Sequence, residues 1–406
     1  MSVKILFALN VAQASLILIN SRNENMTELV IIGTGLAGYT LAREFRRRDQ
    51  QTSLLLITSD DGSYYSKPVL SNALSKGKLP DELILASAEK MAEDLNAEIW
   101  THCQVTTISA DAKLLQTTRG EVSYERLVLA NGANTISAPI QGTARGQVLS
   151  VNDLEGYRQF RNKVNTGSRI VIIGAGMIGC EFANDLSNIQ ASISMVDMAV
   201  RPLGHLLPAQ VADKLQEKLT TFNVAWYLGN SVTDVDFCDS SLLVTLKDGT
   251  EIMADTVLSA IGLRPNLKLA ITAELDVDRG IKVDRYLRTS DKNIFALGDC
   301  VQIEDLTLPF VMPLMTSARA LAASLAGDDT AVKYPAMPVA LKTPCYPTVV
   351  CPVPRPTDGL WEIEDTEGGM RALFKDNNQN IMGFVLTNEL ISEKASLTKQ
   401  VADWLS

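Results

Sequence analysis

The chain has 406 residues, which leaves room for two or three domains. Apolar residues make up 46% and charged residues 21%, as in a globular α/β protein, and the net charge of −10 argues against nucleic acid or an anionic membrane as the main partner. No C-x-x-C pair arises and the only histidines are His102 and His205, so we expect no metal site and no histidine-based catalysis.

Residues 1–25 precede the first predicted strand and contain an apolar run that superficially resembles a signal peptide. Asn10 and Gln13 interrupt the run, which is too short to cross a bilayer. We interpret residues 1–25 as a poorly ordered extension, because Met26 stands just before the first predicted strand. A targeting role is the alternative. The remaining sequence shows no transmembrane segment, and we expect a cytoplasmic protein.

A glycine motif, G-x-G-x-x-G, occurs twice, each time between a β-branched run and a helix-forming segment. Its residues are Gly33, Gly35, Leu36, Ala37 and Gly38 in the first copy, and Gly174, Gly176, Met177, Ile178 and Gly179 in the second. The glycines permit a tight turn, close approach of a pyrophosphate and helix–strand packing. The phosphates then meet unpaired N–H groups at the helix start. Two such clefts suggest two redox cofactors in one chain.

An acidic residue follows each glycine motif by about 20 positions, where a carboxylate accepts hydrogen bonds from an adenosine ribose. We call the parts of the chain that follow the first and the second glycine motif the first and the second lobe. In the first lobe we assign this role to Asp60 rather than Asp61, and a solvated turn aspartate is the alternative. In the second lobe Asp197 ends a predicted strand and favours NADH over NADPH, although Arg201 lies close in sequence.

Each lobe also closes with a similar strand followed by a glycine. The first reads Leu127 to Gly132 and includes Ala130, and the second reads Val257 to Gly262. A hairpin is predicted across Leu114 to Leu129. This internal repeat predicts two similar domains.

The segment from Tyr64 to Ser71 contains no cysteine, although disulfide reductases of this plan carry paired cysteines near here. A dithiol relay is therefore excluded. Lys67, beside the fixed φ of Pro68, is a candidate to hold an ammonium against a flavin and stabilise negative charge.

Asp299 follows a predicted buried strand, where an unpartnered carboxylate is costly. We therefore expect it to bond a cofactor hydroxyl, and a helix N-cap is the alternative. A helix is predicted from Met315 to Ala326.

A third, smaller α+β domain is predicted after residue 327. Its predicted elements are strands at Leu360–Ile363, Arg371–Phe374 and Ile381–Leu386 and a helix from Glu393 to Leu405. Lys342 is its one candidate functional residue, with an ordinary surface lysine as the alternative.

Residues 26–406 resemble the FAD-dependent pyridine-nucleotide oxidoreductases, and most of all the bacterial rubredoxin reductases. The narrower signals are Tyr65–Pro68, Gly179–Leu186, Val311–Met315 and Lys342–Pro344. Ferredoxin reductases of dioxygenase systems usually show Arg-Pro-Pro where this chain has Lys67, Pro68 and Val69.

The resemblance implies an α/β fold with two Rossmann-like dinucleotide-binding domains in the plan of glutathione reductase, plus a small C-terminal domain. The expected boundaries are 26–142 and 268–326 for FAD, 143–267 for NAD(H) and 327–406 for the third domain. The implied FAD contacts are the first glycine loop, Asp60, Lys67, Pro68, Ala130, Gly132, Asp299 and Lys342. The implied NAD contacts are the second glycine loop, Glu181, Asp197 and Gly262.

By the same resemblance, Lys67 and Glu181 are catalytic and pair with each other. Hydride passes from NADH to non-covalent FAD, and single electrons pass to rubredoxin in a transient complex that feeds an alkane hydroxylase.

A monomer is expected, and a dimer is the alternative. A basic patch for the acidic carrier would draw on Arg46–Arg48, Lys76, Lys78 and Arg355. The alternative functions are a ferredoxin reductase of a dioxygenase or P450 system, and a redox-sensing flavoprotein that acts through protein interaction.

Overall fold

The computed structural model describes residues 26–353 and 355–406, so the predicted extension at 1–25 lies outside the described residues. The chain divides into two compact units. One unit contains the described residues from Met26 to Tyr64, Ala86–Gly132 and Pro265–Val332. The other contains Tyr65–Leu85, Ala133–Arg264 and Lys333–Ser406. The segment with Lys67 therefore belongs to the unit that also holds the second glycine loop.

The first unit is built on a seven-stranded sheet whose central strand is the apolar run Met26–Ile32. This strand lies parallel to Leu54–Ile57 on one side and to Gly120–Leu129 on the other. The remaining strands are Glu98–Trp100, Val105–Ser109, Leu114–Thr117 and Ile294–Ala296. Leu114–Thr117 pairs antiparallel with Gly120–Leu129, which confirms the predicted hairpin. The helices are Leu36–Arg46, Ala88–Leu95, Lys268–Thr272 and Val311–Leu325, and Ile281–Val283 pairs with Val301–Ile303.

The second unit repeats this plan with a five-stranded parallel sheet. Its strand order is Val148–Ser150, Thr256–Ser259, Arg169–Ile173, Ser192–Asp197 and Val224–Leu228. An antiparallel sheet follows, formed by Val232–Cys238, Ser241–Leu246 and Glu251–Ala254. The helices are Leu154–Lys163, Met177–Leu186 and Ala209–Thr220, with 3-10 turns at Lys67–Asn72, Pro80–Leu83, Arg145–Gln147 and Ser187–Ile189. Parallel strands with a glycine turn and a following helix confirm the predicted Rossmann-like repeat.

The C-terminal part of this unit is a five-stranded antiparallel sheet. Its strands, in spatial order, are Val339–Leu341, Thr348–Cys351, Ile381–Thr387, Gly369–Asp376 and Gly359–Thr366. Leu341, Val350 and Val385 share one hydrophobic core with Ile172 and Phe182 of the second lobe. The sheet therefore shares a core with the second lobe rather than forming one of its own.

The predicted helix from Glu393 to Leu405 is wrong over most of its length. A 3-10 turn at Asn388–Glu393 leads into a helix that covers only Lys394–Thr398. The chain end is extended because Leu405 exchanges two backbone hydrogen bonds with Tyr334, at 2.7 and 3.0 Å. Trp404 and Leu405 are also buried, so tertiary contacts override local helix propensity here.

Short strands also occur at Tyr64–Tyr65, Ile84–Ala86, Ala133–Thr135 and Leu263–Pro265. In the part of the chain that the structure describes, we find no helix with both the length and the apolar character needed to cross a bilayer.

Candidate active site

The first glycine loop is shaped by backbone contacts that only glycine allows. Gly33 has φ +111°, and a Cβ there would lie 2.3 Å from the carbonyl oxygen of Ala130. A Cβ on Gly38 would lie 1.9 Å from the carbonyl oxygen of Gly33. A Cβ on Gly35, by contrast, would meet no protein atom within 4 Å. The outer two glycines therefore serve packing, and the middle one leaves the loop open to a ligand.

The second glycine loop repeats this arrangement. Gly174 has φ +107°, and its Cβ would lie 2.6 Å from the carbonyl oxygen of Ala260. A Cβ on Gly179 would lie 2.0 Å from the carbonyl oxygen of Gly174, whereas Gly176 is open. Both lobes thus present the same cradle.

The helices that leave these loops are suited to an anionic ligand. Gly35 and Gly176 are the N-cap residues, neither provides a side-chain cap, and neither first turn contains an acidic residue. The helix N–H groups and the positive end of the helix dipole are thus available to a pyrophosphate. Among the described residues, buried Asn131 Oδ1 and Ser259 Oγ, at the strand ends beside these loops, have no hydrogen-bond partner. The residues fit FAD and NAD(H), each of which brings a diphosphate and hydroxyl groups.

Asp60 lies just after the strand Leu54–Ile57, next to the first glycine loop. Its Oδ1 accepts hydrogen bonds from Thr58 Oγ1 at 2.6 Å, the Gly62 N–H at 2.9 Å and Thr34 Oγ1 at 3.4 Å. These three bonds fix the turn, and all of them go to Oδ1 rather than Oδ2. The contact of Asp60 with a ribose stays a prediction.

Asp197 ends the strand Ser192–Asp197 and holds the second glycine loop in place. Its Oδ2 accepts a hydrogen bond from the Ala175 N–H at 2.5 Å, and its Oδ1 accepts one from the Ala199 N–H at 2.7 Å. Arg201, which lies close to Asp197 in sequence, forms an exposed ion pair with Asp213 at 2.7 Å. Asp197 thus holds the loop in place, in addition to the ribose contact that is predicted for it.

Asp299 lies in a turn between the strands Ile294–Ala296 and Val301–Ile303, and it is half-buried. The alternative N-cap role is wrong, because the next helix is capped by Phe310. The neighbouring Gly298 has φ +84° and packs against Ala37, since a Cβ on it would lie 2.9 Å from the Ala37 Cβ. The turn therefore contacts the first glycine loop.

The next residue, Cys300, is buried. Burial raises the pKa of its thiol to about 12, so the thiol stays protonated.

Lys67 and Pro68 begin a 3-10 turn, Lys67–Asn72, with the proline in its first turn. The same turn contains Ser71, which is 3% exposed. Ser71 Oγ donates a hydrogen bond to Oε2 of Glu181 at 2.6 Å. The segment that carries Lys67 is thereby fixed to the second-lobe helix Met177–Leu186.

Glu181 is fully buried on that helix and forms an ion pair with Lys342. Lys342 Nζ lies 2.5 Å from Oε2 of Glu181, and the Lys342 backbone N–H donates to Oε1 at 3.1 Å. A buried carboxylate requires such partners, because an unpaired buried charge costs several kcal/mol. Lys342 is therefore not an ordinary surface lysine. The predicted pairing of Glu181 with Lys67, and the approach of Lys342 to FAD, stay predictions.

Two residues of the same helix were missed by the sequence analysis. Asn184 and Asp185 are 8% and 2% exposed, and both accept hydrogen bonds from backbone N–H groups of distant segments. Their signal was present in the sequence. They stand three and four positions after Glu181, a spacing that places all three on one helix face.

Comparison with known proteins agrees with this architecture. Residues 27–322 match the family model described as pyridine nucleotide-disulphide oxidoreductase, and residues 331–401 match the model described as rubredoxin binding C-terminal domain. The chain is 45% identical to rubredoxin-NAD(+) reductase of Alcanivorax borkumensis, over 93% of this chain and 99% of that protein. It is 43% identical to the protein of the same name from Acinetobacter baylyi, over 93% and 98%.

A solved structure supports the fold. Putidaredoxin reductase in its covalent complex with putidaredoxin superimposes with a TM-score of 0.84 at 24% identity, over 92% of this chain and 93% of that one. The chain belongs to the pyridine nucleotide-disulphide oxidoreductase family, and it is an oxidoreductase with FAD as its cofactor and NADH as its substrate.

Proposed function

We propose that this chain is an NADH:rubredoxin oxidoreductase. The observation that carries the proposal is the match of residues 331–401 to a rubredoxin-binding model. The Glu181–Lys342 ion pair joins this segment to the helix of the second glycine loop. Relatives that cover nearly the whole chain bear the name rubredoxin-NAD(+) reductase. Bound FAD would take a hydride from NADH and pass on its electrons one at a time.

The protein residues supply binding, orientation and electrostatics. The first glycine loop and Asp60 would hold FAD, and the second glycine loop and Asp197 would hold NADH. Lys67 would place an ammonium beside the flavin, where developing negative charge is stabilised. Glu181 would lie near the nicotinamide.

The carrier would dock only transiently, as is usual for small electron-transfer interfaces. Lys76 and Lys78 are exposed and suit an acidic carrier. Arg46, a member of the predicted basic patch, is unsuitable because its guanidinium is buried and donates to the carbonyl oxygens of Leu95 and Asn96. The rest of the predicted patch stays a prediction.

The finer assignments belong to the same proposal. We place the protein in the cytoplasm because all its cysteines are free thiols, as a reducing compartment favours. We propose a monomer. Delivery of electrons to an alkane hydroxylase follows from the family resemblance.

Anaerobic stopped-flow mixing tests the proposal. The enzyme is first reduced with NADH and then mixed with oxidised rubredoxin, and separately with a 2Fe–2S ferredoxin, while the flavin band is followed. We expect the second-order rate constant for flavin reoxidation to be highest with rubredoxin. A higher value with ferredoxin would favour the alternative reductase. Slow reoxidation by every carrier would favour the redox-sensing function and contradict the proposal.

A further inference from the structure

The second-lobe helix Met177–Leu186 has a polar face in an otherwise apolar setting. Glu181, Asn184 and Asp185 lie on one side of it and are 0%, 8% and 2% exposed. Each of these polar side chains accepts hydrogen bonds from another segment of the chain, so their partners show which segments the helix holds in place.

Asp185 binds the chain just after the 3-10 turn that begins with Lys67. Its Oδ2 accepts a hydrogen bond from the Leu74 N–H at 3.0 Å, and its Oδ1 accepts one from the Ser75 N–H at 2.8 Å. With the Ser71 hydroxyl on Glu181, the segment is held to the helix at two places. A displacement of this segment would therefore move Lys67.

Asn184 binds the segment that contains Lys342. Its Oδ1 accepts a hydrogen bond from the Cys345 N–H at 3.1 Å. One helical turn away, Glu181 accepts from both the backbone and the side chain of Lys342. This segment too is held at two places.

The geometry points to Asn184 and Asp185 as positioning residues that set the places of Lys342 and Lys67, respectively. Both act through the backbone of a lysine-bearing segment. The helix that begins at the NAD(H) loop would thereby align both ammonium groups for hydride transfer. Small displacements from reactive geometry cost large factors in rate, up to about 100-fold for roughly 1 Å. This inference rests on the proposed function, because it takes reduction of the flavin by NADH as the step that is aligned.

The test variant is Asp185→Asn in the FAD-loaded enzyme. Asparagine offers a single acceptor oxygen, so one of the two N–H groups, on Leu74 or Ser75, loses its partner. Hydrogen exchange of residues 67–79, followed by mass spectrometry, should become at least about tenfold faster. The limiting rate of flavin reduction at saturating NADH should fall about tenfold or more, while the apparent Kd of NADH changes less than about twofold.

The matched control is Asp236→Asn in the same unit. Asp236 also accepts a backbone N–H, that of Thr143 at 2.7 Å, but it is remote in sequence from both lysine-bearing segments. Its variant should reduce flavin at the wild-type rate. A wild-type limiting rate in Asp185→Asn, or unchanged exchange of residues 67–79, would overturn the inference.

If Asp185→Asn does not yield folded holoenzyme, Asn184→Ala decides the matter, since the Cys345 N–H then loses its partner. A lower limiting rate supports the inference, and a wild-type rate overturns it. These outcomes are separate from the identity of the carrier. Failure of the wild-type enzyme to reduce rubredoxin would contradict the proposed function. The rate of flavin reduction by NADH would still test the positioning roles of Asn184 and Asp185.

Discussion

The two lobes begin alike and then differ along the helix that follows the glycine loop. In both, the outer glycines are tightly enclosed and the middle glycine is open. Thr40 and Glu181 stand two residues after the last glycine of their loops. The first is a small buried residue whose Oγ1 donates to Met315 Sδ, whereas the second is a buried carboxylate paired with Lys342.

The same contrast holds further along each helix. Arg43 lies over the ring of Tyr64, 4.1 Å from its centroid, and Glu44 pairs with the exposed Arg47. The equivalent positions of the second lobe, Asn184 and Asp185, are buried and accept from backbone N–H groups. The same glycine loop thus precedes two helices with different roles. The first helix completes a nucleotide-binding lobe, and the second also holds the lysine-bearing segments.

The largest expected effect separates the two lobes by the same substitution. Gly38→Ala and Gly179→Ala both force the loop open, because the new Cβ would lie about 2 Å from a backbone oxygen. Gly38→Ala should yield protein without FAD. Gly179→Ala should keep FAD but lose about 100-fold or more in NADH-dependent flavin reduction. Flavin absorbance and stopped-flow kinetics measure both effects.

Gly146→Ala is the control for this pair, because a Cβ at Gly146 would meet no atom within 4 Å and its φ is not positive. It should behave as wild type. Loss of FAD from Gly179→Ala with NADH reactivity retained in Gly38→Ala would reverse the assignment of the lobes.

A second prediction concerns the ion pair that the first lobe lacks. Lys342→Met leaves the fully buried carboxylate of Glu181 without its ammonium, so the free energy of unfolding should fall by about 3–5 kcal/mol. Glu181→Gln should cost less, about 1–2 kcal/mol, because the Lys342 side chain is 27% exposed and can reach water. Urea unfolding of the two variants checks the order.

Thr40→Val serves as the first-lobe control for that experiment and should change the free energy of unfolding by less than about 1.5 kcal/mol. An equal loss in Lys342→Met and Glu181→Gln would mean that the pair is not buried as described.

A third prediction concerns coenzyme choice. Asp197 uses both oxygens on backbone N–H groups, so Asp197→Arg should damage the loop and lower kcat/KM for NADH and NADPH alike. Met198 is 80% exposed beside it, and Met198→Arg would supply a cation for the 2′-phosphate while the loop stays intact. We expect kcat/KM for NADPH to rise about tenfold in this variant. A gain with Asp197→Arg and none with Met198→Arg would contradict the role of Asp197 in holding the loop.

The smallest expected effect is the pH dependence of stability due to Asp185. Burial raises the pKa of Asp185 above its ordinary value of 3.8. The folded state therefore binds more protons than the unfolded state between 3.8 and the higher folded pKa, and the contribution of Asp185 to stability falls as pH rises through that window. The slope is at most about 1.4 kcal/mol per pH unit. Asp185→Asn should lack it, which the difference between the two unfolding curves at several pH values would show.

The sequence was sufficient for the features that depend on local pattern. Gly33 and Gly174 could be placed because the glycine motif, the β-branched run before it and the helix-forming segment after it lie within a few residues. The hairpin at Leu114–Leu129 could be predicted because its strands are neighbours in the sequence. The predicted helix from Glu393 to Leu405 failed because the pairing of Leu405 with Tyr334 is non-local.

The site was only partly predictable for the same reason. Glu181 and Lys342 were both identified, but their contact joins positions far apart in the chain. Asp185 looked like an ordinary polar helix residue, since nothing near it in sequence shows that Leu74 and Ser75 donate to it. Burial and partners of such residues come from tertiary structure.

Electron transfer from NADH through FAD to rubredoxin is tested most directly by anaerobic titration of the purified protein with NADH while the flavin band is recorded. We expect a yellow protein whose flavin band bleaches with one equivalent of NADH and returns on addition of oxidised rubredoxin. A protein that stays colourless after incubation with excess FAD, or a flavin band that NADH leaves unchanged, would contradict this expectation.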